Sequence, residues 1–100
     1  MAVYDCAYNI IMEYEWDPHK AVRNRRKHQV DFADTISVFE DILALTVDDD
    51  DPDEERFNTV GTDSLGRLVV VCWTFRGNDI RIISARKATP SERRQYSESL

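Results

Sequence analysis

The sequence is poor in the residues that mark disulfide-stapled, metal-binding and membrane-spanning proteins. Its 100 residues include only two cysteines, two histidines, three glycines and three prolines. The cysteines and histidines are far apart and irregularly spaced, so we expect no metal site and no cofactor. No apolar run approaches the ~20 residues of a membrane span, and the N-terminus lacks the pattern of a secretory signal. We therefore expect a cytoplasmic protein that does not bind a membrane. Cys72 lies in an apolar run and is expected to be buried.

The charge of the chain is strongly segregated. The formal net charge is -6, which by itself argues against a nucleic-acid partner. However, residues 48–55 hold seven of the acidic side chains, and the remainder has thirteen basic against twelve acidic residues. Residues 19–28 contain five basic side chains and no acid, and residues 56–100 contain eight basic and four acidic ones. Two basic regions and one acidic loop are therefore predicted, and a nucleic-acid partner becomes plausible again.

The C-terminal basic region is the more informative of the two. Arg81 lies in the middle of an apolar, strand-like segment, and a guanidinium is costly to bury, so it should project onto a solvated face. Arg76, Arg86 and Lys87 flank the same segment and can converge with it on one surface. Guanidinium groups match phosphate oxygens in charge and geometry. This segment therefore predicts a surface that binds a phosphate backbone.

The first half of the chain predicts one strand and two helices. Large apolar residues alternate from Ile10 to Trp16, which is typical of a strand. Asp17 and Pro18 form a helix start, and this helix should end near Lys27. A second helix, capped by its first residue, is predicted over 31–40 from the near-helical spacing of its apolar residues.

The second half predicts a sheet and a final helix. Alternating or continuous apolar runs, separated by short turns, predict strands over 43–47, 56–62, 67–75 and 79–85. The continuous run in 67–75 indicates a central strand that is buried on both faces. A capping box at Thr89 and Glu92 starts a helix over about 90–98. The order β-α-α-β-β-β-β-α predicts an α+β fold, with an antiparallel meander that carries the helices on one face and leaves the other partly open.

At this point several motifs, taken together and in this order, resemble the BrnT family of type II toxins. The landmarks are Trp16-Asp17-Pro18, Lys27-His28-Gln29-Val30-x-Phe32, Val38-Phe39-x-Asp41, Glu55-Arg56-Phe57, Arg81 to Ala88, and Glu92-Arg93-x-x-Tyr96. The resemblance covers about residues 16–96. Members of the family usually have Gly where this chain has Gln29. Residues 1–9 look like an extension, which leaves a single domain over 10–100.

The resemblance implies a RelE-like fold, with an antiparallel sheet, two N-terminal helices and one C-terminal helix. It also implies a metal-independent endoribonuclease that cleaves mRNA, free or on the ribosome, and arrests growth. The partner would be a BrnA-type antitoxin with a ribbon-helix-helix pattern, and operator DNA would be bound only through that antitoxin. RNA cleavage requires a base for the 2′-hydroxyl, positive charge around the phosphate and an acid for the leaving oxygen.

Basic, acidic and aromatic residues of these motifs are the candidates for those roles. The predicted catalytic residues are Arg81, Arg86, His28, Lys27 and Glu55. The predicted RNA-binding residues are Arg76, Arg56, Lys87, Arg93 and Tyr96. Each also has a purely structural interpretation: for instance, a solvated arginine paired with Asp79 or Glu92, or a tyrosine that packs the last helix. The alternative function is a non-catalytic RNA- or protein-binding module that acts mainly in a repressing antitoxin complex.

Overall fold

The computed structural model describes residues 13–49 and 53–98. The described elements, in chain order, are β1 (Tyr14–Glu15), α1 (Pro18–His28), a 3-10 helix (Phe32–Glu40), β2 (Leu45–Asp49), β3 (Arg56–Thr62), β4 (Leu68–Arg76), β5 (Asp79–Lys87) and α2 (Pro90–Glu98). The predicted extension over 1–9, the start of the first strand and the middle of the acidic run lie outside the described residues.

Helix α1 begins and ends where its capping residues predict. The Asp17 side chain accepts a hydrogen bond from the backbone N–H of His19 at 2.8 Å, and Pro18 occupies the first helical position without losing a hydrogen bond. At the other end Gln29 adopts the left-handed conformation, with φ 59°. Its backbone N–H bonds to the carbonyl of Arg25 and closes the helix.

The second predicted helix is a 3-10 helix rather than an α-helix. Phe32, Thr35 and Val38 are its buried residues, and this spacing of three places them on one side of a helix with three residues per turn. The Thr35 hydroxyl donates to the carbonyl of Phe32 at 2.6 Å, which supports the tighter turn. Asp31 precedes the helix, but its side chain makes no capping hydrogen bond, so that part of the prediction is wrong.

The sheet has the strand order β1-β5-β4-β3-β2. Strands β2 to β5 form the predicted antiparallel meander, and β4 lies at the centre with residues 69–71 buried. Strand β1 adds to the edge of β5 in parallel, with Tyr14 opposite Ile80 and Glu15 opposite Arg81. The sheet is therefore mixed. The alternation from Ile10 to Trp16 predicted a strand here, and its described part is Tyr14–Glu15. Its parallel pairing with β5 was not predicted, because local alternation does not indicate which strand it joins.

The two faces of the sheet are covered differently. Helix α1 and the 3-10 helix pack on one face over the main core, which contains Val30, Phe32, Val38, Val69, Val71, Trp73, Ile80, Ile82 and Ala85. On the opposite face, Val60, Val70 and Ala88 form a smaller cluster against Tyr96 of α2. The expectation that all helices share one face is thus wrong for α2, because this small apolar patch gives it a place to pack. Beyond α2 the second face, here called the open face, remains accessible.

The acidic run begins inside the sheet. Asp48 and Asp49 were expected in a loop, yet they belong to β2 and pair with Phe57 and Arg56 of β3. The Asp49 carboxylate lies 3.0 Å from Nη2 of Arg56. This ion pair between neighbouring strands stabilises an acidic strand end that sequence propensity alone would disfavour.

Candidate active site

A row of polar side chains crosses the open face near one end of the sheet. Asp49 is opposite Arg56 on β2 and β3, and Thr74 of β4 is opposite Arg81 of β5, which in turn is opposite Glu15 of β1. Cross-strand neighbours on one face of a sheet are within contact distance. We call these five residues the arginine row. Four of the five strands contribute a charged residue to it.

Carboxylates hold both arginines of the row. Nη2 of Arg56 lies 3.0 Å from the Asp49 carboxylate, and Nη1 of Arg81 lies 3.2 Å from the Glu15 carboxylate. The two arginine side chains are only 27% and 26% exposed, so their stems are fixed by packing. Arg76 approaches the same Glu15 at 3.9 Å and is 63% exposed. The structure thus brings the predicted residues Arg56, Arg76 and Arg81 to one surface.

Glu55 is connected to this row through its main chain. The Thr74 hydroxyl donates a hydrogen bond to the Glu55 carbonyl at 2.6 Å, and Glu55 directly precedes Arg56 at the start of β3. Its own side chain is exposed to solvent. A solvent-exposed carboxylate therefore follows a main chain that is fixed at the row.

Cys72 lies on the open face next to the row. The residue is half-buried, which differs from the expected full burial, and its Sγ lies 3.8 Å from a carboxylate oxygen of Asp49. Burial raises the pKa of the Cys72 thiol, and although Arg56 acts in the opposite direction, the net shift is upward. A protonated thiol is a poor nucleophile, so this residue fills space beside the row.

Arg86 occupies a separate position on the open face. It follows Arg81 by five residues on β5, or roughly 15 Å of strand, and it is opposite Val70 instead of the row. Its guanidinium makes two hydrogen bonds of 2.8 Å to the Glu92 carboxylate of α2. The interpretation of Arg81 as a partner of Asp79 or Glu92 is therefore wrong: Glu92 holds Arg86, and Glu15 holds Arg81.

Glu92 combines this ion pair with the predicted capping box. It accepts a hydrogen bond from the backbone N–H of Thr89 at 2.8 Å, and the Thr89 hydroxyl accepts one from the Glu92 N–H at 3.2 Å. The bonds from Arg86 lower the pKa of Glu92 to about 2, and the same pairing raises the pKa of Arg86. Beside the pair, a cleft of about 280 Å³ separates α2 from β2 and β3.

Tyr96 anchors α2 to the sheet. Its hydroxyl donates to the Asp41 carboxylate at 2.7 Å, and the same carboxylate accepts the backbone N–H groups of Leu43 and Thr62. The bond to Asp41 raises the pKa of Tyr96. Burial acts to raise the pKa of Asp41, but the accepted hydrogen bonds outweigh it and lower that pKa. The structure thus gives this predicted RNA-binding residue a structural contact.

The remaining predicted residues do not join the row. Lys27 and His28 line a groove of about 390 Å³ between α1 and β5, together with Ile83 and Ser84. Arg93 is exposed on α2, and Lys87 is exposed at the end of β5, opposite Val69. Sequence reasoning missed Glu15 and Asp49 as members of the row, since neither the pairing of β1 with β5 nor the continuation of β2 into the acidic run was predicted.

Within residues 13–49 and 53–98, no three His, Cys, Asp or Glu side chains come together as metal ligands would. In the same part of the chain, no helix is long and apolar enough to span a membrane.

Comparison with known proteins agrees with the fold and the motifs. The 1.1 Å crystal structure of the Brucella abortus ribonuclease toxin BrnT superposes with a TM-score of 0.64 at 28% sequence identity. The match covers 78% of this chain and 97% of the Brucella chain. No curated protein sequence gives a significant match. Residues 16–92 match the family model described as the ribonuclease toxin, BrnT, of type II toxin-antitoxin systems. The chain therefore belongs to the BrnT family of ribonuclease toxins.

Proposed function

We propose that this toxin is a metal-independent endoribonuclease that cleaves mRNA at the arginine row and thereby arrests growth. The observation that supports the proposal is the convergence of Arg56, Arg76 and Arg81 on an accessible sheet face. Three guanidinium groups at one surface suit a substrate whose charge increases during reaction. The expected reaction is in-line attack of the ribose 2′-hydroxyl on the adjacent phosphorus, with departure of the 5′-oxygen.

Arg81 is the main group for stabilising the transition state in this proposal. It lies in the middle of the surface, opposite Thr74. It is also close to Arg76, because both guanidinium groups approach the Glu15 carboxylate. A bound phosphate would compete with Glu15 for the same guanidinium hydrogens. As negative charge builds on the phosphate oxygens, the phosphate becomes the stronger acceptor, so the fixed donors favour the transition state over the ground state.

Glu55 is the best placed of the predicted proton-transfer residues. Its main chain is tied to Thr74 in the row, and its exposed carboxylate can accept the proton of a 2′-hydroxyl. His28 and Lys27 lie across β5 in the α1 groove. They would reach a reacting phosphate only if the RNA passes over the edge of that strand.

The antitoxin is the other expected partner. Type II toxins are neutralised by a cognate protein, and we propose a BrnA-type antitoxin with a ribbon-helix-helix domain, through which the complex binds operator DNA. The cytoplasm, where mRNA is translated, is the corresponding location.

Substitution of Arg81 by alanine tests the assignment of the row. The wild type, Arg81→Ala and Arg94→Ala would each be expressed from a tightly repressed promoter, while growth and messenger RNA integrity are followed. Arg94 is exposed on α2 and outside the row, so it controls for the loss of one charge. We expect Arg81→Ala to lower the cleavage rate by about 10²–10³-fold, which is typical for the loss of one oxyanion donor.

A folded Arg81→Ala protein that still arrests growth would remove Arg81 from the mechanism. Circular dichroism and urea unfolding of the purified variants establish whether the chain is folded. Arg81→Lys provides a second variant, which keeps the charge and loses the planar fork. RNA binding by the wild type without any cleavage would favour the non-catalytic binding module instead.

A further inference from the structure

We infer that the groove between α1 and β5 is a second RNA site, which binds the phosphate backbone along the edge of β5, next to the end of the arginine row. This α1 groove is lined by Lys20, Arg23, Lys27, His28, Ile83 and Ser84 and has a volume of about 390 Å³. The inference depends on the proposed function in one respect, namely that RNA is the substrate. It adds a binding surface that extends the contact beyond the reacting phosphate.

The cations of the α1 groove are not neutralised in the way that those of the open face are. On the open face Arg56, Arg81 and Arg86 each have a carboxylate within about 3 Å. Within residues 13–49 and 53–98, neither Lys20 nor Arg23 forms an ion pair. A free cationic surface costs stability through mutual repulsion, especially along one helix, so an acidic chain that retains it is expected to use it.

The sequence of α1 explains why its groove side is positively charged. The helix holds five basic residues and no acidic one over Pro18–His28. The capping Asp17 accepts a hydrogen bond from the backbone N–H of His19, and its carboxylate also attracts Lys20. Arg25 points elsewhere and approaches Asp31 at 3.9 Å. Since the groove lining contains three cations and no acid, the groove side of the helix presents a net positive charge that Asp17 compensates only in part.

The spacing of the groove cations suits a chain of phosphates. Lys20, Arg23 and Lys27 are three and four residues apart, so they lie on one side of α1 and extend over roughly 10 Å of helix. Ile83 gives the groove an apolar wall, and Ser84 and His28 add polar groups. The cations suit the phosphates of single-stranded RNA, and the apolar wall and the His28 ring offer surface to its riboses and bases. A purely acidic peptide would leave the apolar wall unused.

Asn24 fixes the position of this cationic side. Its amide nitrogen donates to the carbonyls of Ala85 and Val30, and its amide oxygen accepts the backbone N–H of Ala85, all within 3.0 Å. The side chain thereby replaces a neighbouring strand at the edge of β5. Lys20, Arg23 and Lys27 flank Asn24 in α1, so these bonds hold their helix turns against the strand edge.

The α1 groove and the arginine row are connected by β5. In the part of the chain that the structure describes, β1 pairs with Ile80 and Arg81, and no strand pairs with the following edge of β5. That edge faces the groove at Ile83 and Ser84. An RNA strand that lies in the groove can therefore cross this edge and reach Arg81. The groove would bind nucleotides next to the one whose phosphate is cleaved.

Binding of a non-cleavable RNA separates this site from the chemistry. A short fluorescein-labelled, single-stranded RNA with 2′-O-methyl groups would be titrated with the full chain by fluorescence anisotropy. The test variant is Lys20→Gln/Arg23→Gln. The matched control is Arg25→Gln/Arg26→Gln, which removes the same charge from the same helix outside the groove lining. Titrations would span about 50 to 200 mM salt.

We expect the groove variant to lose roughly tenfold or more in affinity, and the control roughly twofold. If two phosphate contacts are lost, the slope of log K against log salt should fall in magnitude by about 1.4 for the groove variant only. Equal losses in both variants would mean that net charge, and not the groove, determines binding, and would overturn the inference. Wild-type-like binding by the groove variant, or no binding by the wild type, would overturn it as well.

Two further measurements distinguish the possible failures. Cleavage of the matching unmodified RNA should show a raised KM and a nearly unchanged kcat for the groove variant, whereas Arg81→Ala lowers kcat. If Arg81→Ala cleaves normally while the groove variant binds RNA weakly, the proposed row fails and the groove stands. Labelled polyglutamate is the competing probe: if the groove substitutions weaken its binding and spare RNA binding, the groove is a docking surface for an acidic protein and the inference is wrong.

Discussion

Replacement of Asn24 by alanine should destabilise this protein strongly, although Asn24 belongs to a helix of mostly polar residues. The side chain is 8% exposed and makes three hydrogen bonds to the main chain, at 2.8, 3.0 and 3.0 Å. Alanine removes the partner of the Ala85 N–H, the Ala85 carbonyl and the Val30 carbonyl. These three groups remain at a buried junction between α1 and β5.

The magnitude follows from the cost of leaving these groups unsatisfied. Each buried main-chain group that loses its partner costs about 1–3 kcal/mol, and partial access of water reduces the larger values. We therefore expect a loss of about 3–5 kcal/mol in the free energy of unfolding. That is a large share of the ~5–15 kcal/mol that stabilises a domain of this size.

Urea unfolding of the purified chain measures this loss. With a denaturant slope of ~1.5 kcal/mol per M, the midpoint should fall by about 2–3 M without a change of slope. Asn78→Ala, in the exposed turn between β4 and β5, is the matched control and should stay within about 0.5 kcal/mol of the wild type. A loss of less than about 1 kcal/mol for Asn24→Ala would refute the reasoning, because it would mean that the strand edge is satisfied without the amide.

Two other predictions concern helix ends. The pKa of Glu92 falls from 4.5 to about 2 in the folded chain, so its pairing with Arg86 stabilises the protein fully above about pH 4.5, and this stabilisation is lost as pH falls towards 2. Because Arg86 is 43% exposed, we expect the loss to be about 1–2 kcal/mol. When the free energy of unfolding is measured as a function of pH, Glu92→Gln should lack this loss in acid. A Glu92→Gln protein with the same pH dependence as the wild type would contradict the assignment. Gln29→Gly should raise the free energy of unfolding by about 0.5–1 kcal/mol, because glycine adopts the left-handed conformation at φ 59° without strain. A destabilised variant would show that the hydrogen bond from the Gln29 side-chain amide to the Arg26 carbonyl outweighs the backbone strain.

Local signals predicted most elements of the fold. The Asp17-Pro18 start of α1, the apolar run of β4 and the capping box of α2 were all confirmed, because each depends on residues that are close in sequence. The 3-10 helix was predicted as an α-helix. Which of its residues are buried, among them Phe32 and Thr35, depends on tertiary packing that the local sequence does not show. The parallel pairing of β1 is likewise a long-range property that no local pattern contains.

The candidate site was predictable in its arginines and not in its carboxylates. Arg81 stands out because a guanidinium interrupts an apolar strand, and the structure confirms that it faces the accessible side of the sheet. Its partner Glu15 is 66 residues away in the chain, and only the pairing of β1 with β5 brings the two together. Likewise, Asp49 is hidden in the sequence by the acidic residues around it.

Strand β5 also links the two proposed surfaces to the attachment of α1. β5 supplies Arg81 to the row, its edge forms one wall of the α1 groove, and its main chain holds Asn24. A chain that is truncated before residue 79 lacks all three of these features. If the proposed function is right, such a fragment should neither bind nor cleave RNA.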